Sequence, residues 1–168
     1  KSPVNQPGTM YVYSILYHNM IEPLIPYAIR GVIWYQGEAN TERPGEYYDL
    51  FPAMIDGWRQ ARQRPELPFY WVQLPNFIAT PKNDLAGLRD AQTSALSLAH
   101  TGQAVTIDVG NPTDEHPLDK HTVARRLALH ALHNDYGHGD LVCQSPRATS
   151  VTRQGDGTIL VTFSHVAQ

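Results

Sequence analysis

A single cysteine, Cys143, leaves this chain without the means to form an internal disulfide and says little about its redox compartment. Long apolar runs are missing too. None approaches the roughly 20 residues that a bilayer-spanning helix needs. Basic residues do not exceed acidic ones: Lys and Arg number 13, Asp and Glu 16, and the formal net charge is -3. That balance argues against a binder of nucleic acid or another polyanion, which usually carries a basic surplus. The opening "KSPVNQPGTM" has neither an initiating Met nor the apolar stretch of a signal peptide. No internal repeat or low-complexity tract is visible. Both ends read as cuts, the first in a Pro/Asn/Gln-rich segment and the last in the alternating "TILVTFSHVAQ". A piece of a longer polypeptide is therefore expected.

What is present suits a folded α/β domain. The chain has 168 residues, 42% of them hydrophobic and 17% charged, enough for a sizeable core. Residues 30–36, "RGVIWYQ", form a short β-rich apolar run, as does "FYWVQLPNF" from Phe69, and "QAVTIDVG" makes a third that ends at Gly110. Between them lie two helical patterns. Residues 46–62 place Tyr47, Leu50, Phe51, Met54, Ile55 and Trp58 at helical spacing, and Pro65 and Pro68 bar continuation. Residues 84–100 carry Asp84 as N-cap and Leu85, Leu88, Leu96 and Ala99 on the apolar face. Asp119 caps a third helix, with Val123, Ala124, Leu127, Ala128, Ala131 and Leu132 on one side and Gly137 as its stop. After Pro146 two alternating runs flank a "GDG" turn, the pattern of a β-hairpin and the start of a β-rich region.

Strands alternating with helices predict a parallel sheet covered on both faces. Such sheets bind ligands at the carboxyl ends of their strands. All three strands end in polar residues: "QGEAN" after the first, Gln73 and Asn76 after the second, "DVGNPTDEHP" after the third.

Two of these ends carry candidate chemistry. Asp114 and His116 lie in a Pro-framed loop, and a carboxylate beside an imidazole can orient a general base and stabilise its protonated form. The same spacing also suits a surface pair whose side chains cap the following helix. Gln36, Gly37 and Asn40 have the donors and the close backbone approach that a developing oxyanion needs, with Glu38 available to orient them or to hold a sugar hydroxyl. Equally, they suit a turn whose polar side chains satisfy one another.

The stretches "LIPYAIRGVIWYQGEANT", "YYDLFPAMIDGWR", "PFYWVQLPNF", "LRDAQ" and "DVGNPTDEHPLDKHTVARRLAL" occur in one order. Together they resemble the sialate O-acetylesterase family of the SGNH hydrolase superfamily, over about residues 5–136. The trailing hairpin also resembles the next segment of bacterial members.

The resemblance implies a three-layer αβα, SGNH/flavodoxin-like fold over residues 1–140, with 141–168 beginning a β-rich segment. It implies removal of acetyl groups from sugar hydroxyls through a serine nucleophile, without a metal or other cofactor. His116 matches the family's catalytic histidine and Asp114 its acidic partner. Gln36, Gly37 and Glu38 match the "QGE" block lining the pocket near the oxyanion. The expected partners are an acetylated carbohydrate and the remainder of the parent polypeptide, with no nucleic acid and no membrane. Family habit implies a secreted or periplasmic enzyme, lysosomal in a eukaryote.

Three departures stand out. The superfamily usually spaces its pair Asp-x-x-His, and here it is Asp-x-His, which leaves a backbone carbonyl as an alternative partner for the ring. The "GQSNM"-type nucleophile block is not in this sequence, and Ser2, Ser14, Ser94, Ser97, Ser145, Ser150 and Ser164 lack its Gly-rich strand-to-helix setting. His18 and Asn19 replace the Asn and Gly of the family's "LYNGMI", and Asn is the non-glycine residue that best tolerates a left-handed backbone.

Three other readings stay open. A metal site would draw on His130, His133, Asp135 and His138, which form no recognised ligand set. A glycosidase would use Glu38 with a second carboxylate about 5–10 Å away. A non-catalytic fragment or subunit would retain the base and part of a sugar-binding surface without the nucleophile.

Overall fold

The computed structural model describes residues 12, 14–78 and 82–166; the opening segment with Ser2 lies outside them. The three apolar runs form β1 (Val32–Trp34), β2 (Phe69–Gln73) and β3 (Thr101–Val105), hydrogen-bonded side by side in that order and all parallel. Alternation along β2 decides what each layer holds. Phe69 and Trp71 face one way, packing with Val32 against Tyr47, Phe51 and Ile55 of α1 (Pro44–Ala61) and Leu88 and Ala91 of α2 (Leu85–Ser94). Tyr70 and Val72 face the other way, with Ala104, against Val123 and Leu127 of α3 (Lys120–Asp135). The result is the expected three-layer α/β arrangement. Phe51 carries much of the first layer, meeting Trp71 edge-on at 5.0 Å and stacking with Tyr47 at 5.0 Å.

Each helix starts and stops for a local reason. Pro44 occupies the first turn of α1, where a missing N–H costs nothing, and Glu46 there complements the helix dipole. The Asp84 carboxylate accepts from the Gly87 amide and caps α2; Asp119 does the same for α3 through Thr122. Gly137, with φ +80°, follows the last turn of α3, as its C′ position predicts.

The structure corrects several details. The second helix runs only to Ser94 and tightens into a 3₁₀ turn at Ala95–Ser97, so Ala99 and His100 lie outside it. Leu50 projects to solvent rather than into the core. On α3, Ala124 and Ala128 are exposed, because that helix packs over β2 and β3 and leaves the β1 side of its face uncovered. Ile33 on β1 is accordingly 69% exposed. The third strand ends at Val105, five residues before Gly110, for reasons that belong to the site.

Beyond α3, β4 (Arg147–Arg153) and β5 (Ile159–Ser164) pair antiparallel around the predicted turn, where the Asp156 side chain accepts from the Thr158 amide. Almost every residue of this hairpin is exposed.

A crevice at the carboxyl ends of the strands

The two predicted stretches share one hollow. Tyr35, Gln36, Glu38 and Ala39 from the turn after β1, and Glu115, His116 and Lys120 from the loop after β3 and the start of α3, line a crevice of about 390 Å³. Gly37, Asn40 and Asp114 are not among its lining residues. Glu115 and Lys120 are, and sequence reasoning passed over both. They sit next to recognised positions, but a charged residue between two prolines or at a helix start reads as solvated surface.

The wall from β1 is built inward. Gly37 has φ +151°, a backbone that L side chains rarely adopt, and a Cβ there would stand 3.0 Å from Leu88 Cδ2 and 3.3 Å from Gln92 Nε2. Glycine is therefore required on both counts. After it, Glu38–Asn40 makes one 3₁₀ turn, closed by the Thr41 hydroxyl donating to the Glu38 carbonyl at 2.6 Å. The Gln36 side chain is spoken for: Nε2 donates to Asn40 Oδ1 at 2.8 Å, and Oε1 accepts from the Tyr47 hydroxyl at 3.2 Å. Of the two readings of this turn, the contacts match the self-satisfying one for the Gln36 and Asn40 side chains. Gln36 and Glu38 front the crevice.

Burial dominates the electrostatics of this wall, with Glu38 adding to it. Burial, with the Glu38 charge adding to it, pushes the Tyr35 phenol up; burial likewise carries Tyr47 up to about 12. Both phenols are thus neutral donors at physiological pH. Lys120 places its ammonium 4.8 Å from the centre of the Tyr35 ring, a cation–π contact at the mouth of the crevice.

The wall from β3 is built outward. Arg126 of α3 takes the Val105 carbonyl at 2.6 Å and forks onto both oxygens of Asp108, each at 2.6 Å. Thr106 is fully buried and gives its hydroxyl to the Gln73 carbonyl. These bonds divert the backbone from the ladder, which is why β3 ends at Val105. Arg126 holds the Asp108 carboxyl below the usual carboxylate range. Further on, the Ile78 amide donates to the Pro112 carbonyl, joining the ends of β2 and β3.

Asp114 then makes a tight local turn, its Oδ1 accepting from the backbone N–H of His116 at 2.8 Å. The same oxygen lies 3.7 Å from His116 Nδ1. The His116 side chain is 82% exposed and Asp114 is half-exposed. Asp114 thus caps the loop that carries the histidine, while Asp119 caps the helix.

The other histidines have different surroundings. The buried ring of His130 sets Nε2 against the Gln103 carbonyl, and burial lowers its pKa; His133 places Nδ1 on the Leu141 carbonyl. Among the described residues, no group of three or more His, Cys, Asp or Glu side chains stands together as a metal-ligand set.

Comparison with known proteins adds the family context. The family described as carbohydrate esterase, sialic acid-specific acetylesterase, matches residues 5–132. Sialate O-acetylesterase from Rattus norvegicus is 34% identical, over 86% of this chain and 30% of its own length; that from Homo sapiens is 32% identical, over 80% and 29%. The crystal structure of a carbohydrate acetylesterase from Xanthomonas citri superposes with a TM-score of 0.82 at 45% identity, covering 91% of this chain and 36% of that one. The chain thus spans less than a third of the length of these curated relatives.

Proposed function

Because the chain belongs to the carbohydrate esterase family of sialic acid-specific acetylesterases, we propose that it forms part of an enzyme that removes acetyl groups from sugar hydroxyls. The observation that carries this reading is the shared crevice, in which the Gln36–Glu38 turn and His116 face one another at the carboxyl ends of a parallel sheet.

The chemistry is acyl transfer in two halves. A serine outside these 168 residues attacks the acetyl carbonyl, and His116 takes its proton. Asp114 stabilises the imidazolium, and the carbonyl oxygen, now an oxyanion, develops beside Gln36 and Gly37. Collapse of this adduct expels the sugar oxygen, which leaves with the proton from His116. Water then attacks the acetyl-enzyme with His116 as base again, releasing acetate and restoring the serine. Glu38 lines the sugar side of the pocket, and Asn40 holds the Gln36 amide. The acidic net charge supports a carbohydrate rather than a nucleic acid as partner. Family habit supports an exported enzyme, secreted, periplasmic or lysosomal; among the described residues no helix is long and apolar enough to cross a membrane. Residues 1–140 form part of the esterase domain and 141–168 open a β-rich segment.

A second reading concerns this chain alone. No serine lines the crevice among the described residues, which supports a reading in which this chain holds the base and part of the pocket without the nucleophile.

One assay tests both readings. Acetate and reducing sugar are measured after an acetylated glycan is incubated with the intact natural polypeptide or with this chain. Acetate from the former only is the expected result. Reducing sugar without acetate would overturn the esterase reading in favour of glycosidic cleavage at Glu38. Acetate from this chain alone would place the nucleophile within it.

A further inference from the structure

The geometry points to Gln92 as a positioning residue for the proposed deacetylation: its side-chain amide clamps the Gln36–Gly37 turn to the end of β2. The inference rests on the proposed function for its chemistry, but not for its geometry.

Parallel strands β1 and β2 stay in register from Val32–Phe69 to Trp34–Trp71, and there the paired ladder ends. Past that point the chain leaves β2 for the turn that lines the crevice. A separation inside a sheet leaves backbone groups without ladder partners, and buried ones must find others. Gln92, on α2 and fully buried, supplies them. Its Oε1 accepts from the Leu74 amide at 3.0 Å, while Nε2 donates to the carbonyls of Val72 and Gln36, each at 3.3 Å. One amide group therefore bonds both strands at the point where they part.

Three neighbouring features show that the clamp acts on the turn in particular. Gly37 is pressed against Gln92 so closely that a Cβ would lie 3.3 Å from Nε2. One helical turn before Gln92, Arg89 donates to the carbonyls of Leu74 and Pro75, fixing the β2 side of the gap. On the β1 side, Tyr47 donates to Gln36 Oε1 from α1. Glutamine suits the position because the task needs one acceptor and two donors in a plane, without charge, in a place where a charge would be costly to bury. "LRDAQ" therefore has a physical task here: its arginine and glutamine face the sheet and hold the two strand ends apart at a fixed width. A pocket wall displaced by about 1 Å can cost about 100-fold in rate.

The test separates positioning from general support. Gln92→Met keeps the volume and loses all three bonds; Gln92→Glu keeps the acceptor and loses the donors. Thr93→Val is the control, since that hydroxyl reaches Gln73 and Gln103 rather than the turn. Hydrogen exchange on this chain, which needs no activity, should speed up about tenfold over residues 36–41 in both Gln92 variants and stay unchanged there in the control. In the intact polypeptide, kcat on an acetyl ester should fall about 10- to 100-fold with KM within threefold, Gln92→Glu being the more damaging because its carboxyl sets an oxygen against the Val72 and Gln36 carbonyls. Exchange that is unchanged over residues 36–41, or that rises equally over residues 69–73, overturns the inference. So does a kcat that falls no further than in Thr93→Val. If Gln92→Met does not fold, Gln92→Glu decides by the same criteria. An intact polypeptide without esterase activity removes the chemistry and leaves the exchange result to decide the clamp.

Discussion

The two walls of the crevice are made by opposite means. Residues 36–41 are held from behind by other elements: Gln92 from α2, Tyr47 from α1, and the packing of Leu74 and Leu88 against Gly37. The turn at residues 111–116 is held chiefly by itself, with Asn111 accepting from Thr113 and Asp114 from His116. Gln92 is fully buried, whereas the His116 side chain is 82% exposed. A wall fixed by buried bonds between distant elements is preorganised, and electrostatic stabilisation depends on that. A base carried on a local turn stays free to rotate until something packs against its ring. The two walls should therefore differ in experiment: damage to the first costs stability as well as rate, and damage to the second costs rate alone.

The largest effect sharpens this contrast. His116→Ala in the intact polypeptide should lower the rate of acetyl-ester hydrolysis by about three orders of magnitude or more. An exposed side chain leaves no cavity when truncated, so the denaturation midpoint of the variant should match that of the wild type. Near-normal turnover would sink the assignment, and a large loss of stability would contradict the exposure of this wall.

Next comes the core behind the other wall. Leu88 is fully buried and touches the Gly37 turn. Leu88→Ala should destabilise the chain by about 2–5 kcal/mol, read from denaturant melts of this chain alone. A loss below about 1 kcal/mol would mean that the turn is not braced by α2. The contrast between the walls would then fail.

Much of this was legible in the sequence, and what escaped has a common cause. Apolar periodicity located β1 to β3 and α1 to α3 because burial on one face is a local property of the chain. It overran β3 because "TIDV" keeps the pattern of a strand, while the ladder stops where Arg126 reaches in from α3 to the Val105 carbonyl and Thr106 bonds Gln73 through its side chain. The same limit hid Gln92 and Arg89. Inside an amphipathic helix they read as solvent-facing, and only the divergence of β1 from β2 gives them partners. The "LRDAQ" motif was visible as a resemblance but carried no role until the strands were placed. Gln36, Glu38 and His116 were legible because they lie where strands end. The bond between Gln36 and Asn40 was already one of the two readings of that turn.

The smallest effect tests how the loop after β3 is anchored at its base, where the Asp108–Arg126 fork supplies a charged tie. Arg126 lowers the Asp108 pKa on folding, so the folded state favours the ionised carboxylate more than the unfolded chain does. The stabilising contribution is therefore present at and above the ordinary carboxylate pKa of about 4 and fades as pH falls through the lower folded value. Asp108→Asn should accordingly be less stable than wild type at pH 7. The Asp108 side chain is 56% exposed, so solvent screening keeps the difference to about 1 kcal/mol or less. Once pH has fallen through that lower value the two proteins should converge, since both then carry a neutral group at this position. Arg126 would still hold the Val105 carbonyl, a bond that does not titrate, so the end of β3 should survive in both. Paired urea melts from pH 7 downward through the acid range would show the convergence. A difference that stays constant across that range would mean that the fork contributes shape rather than charge, and both walls would then rest on neutral contacts alone.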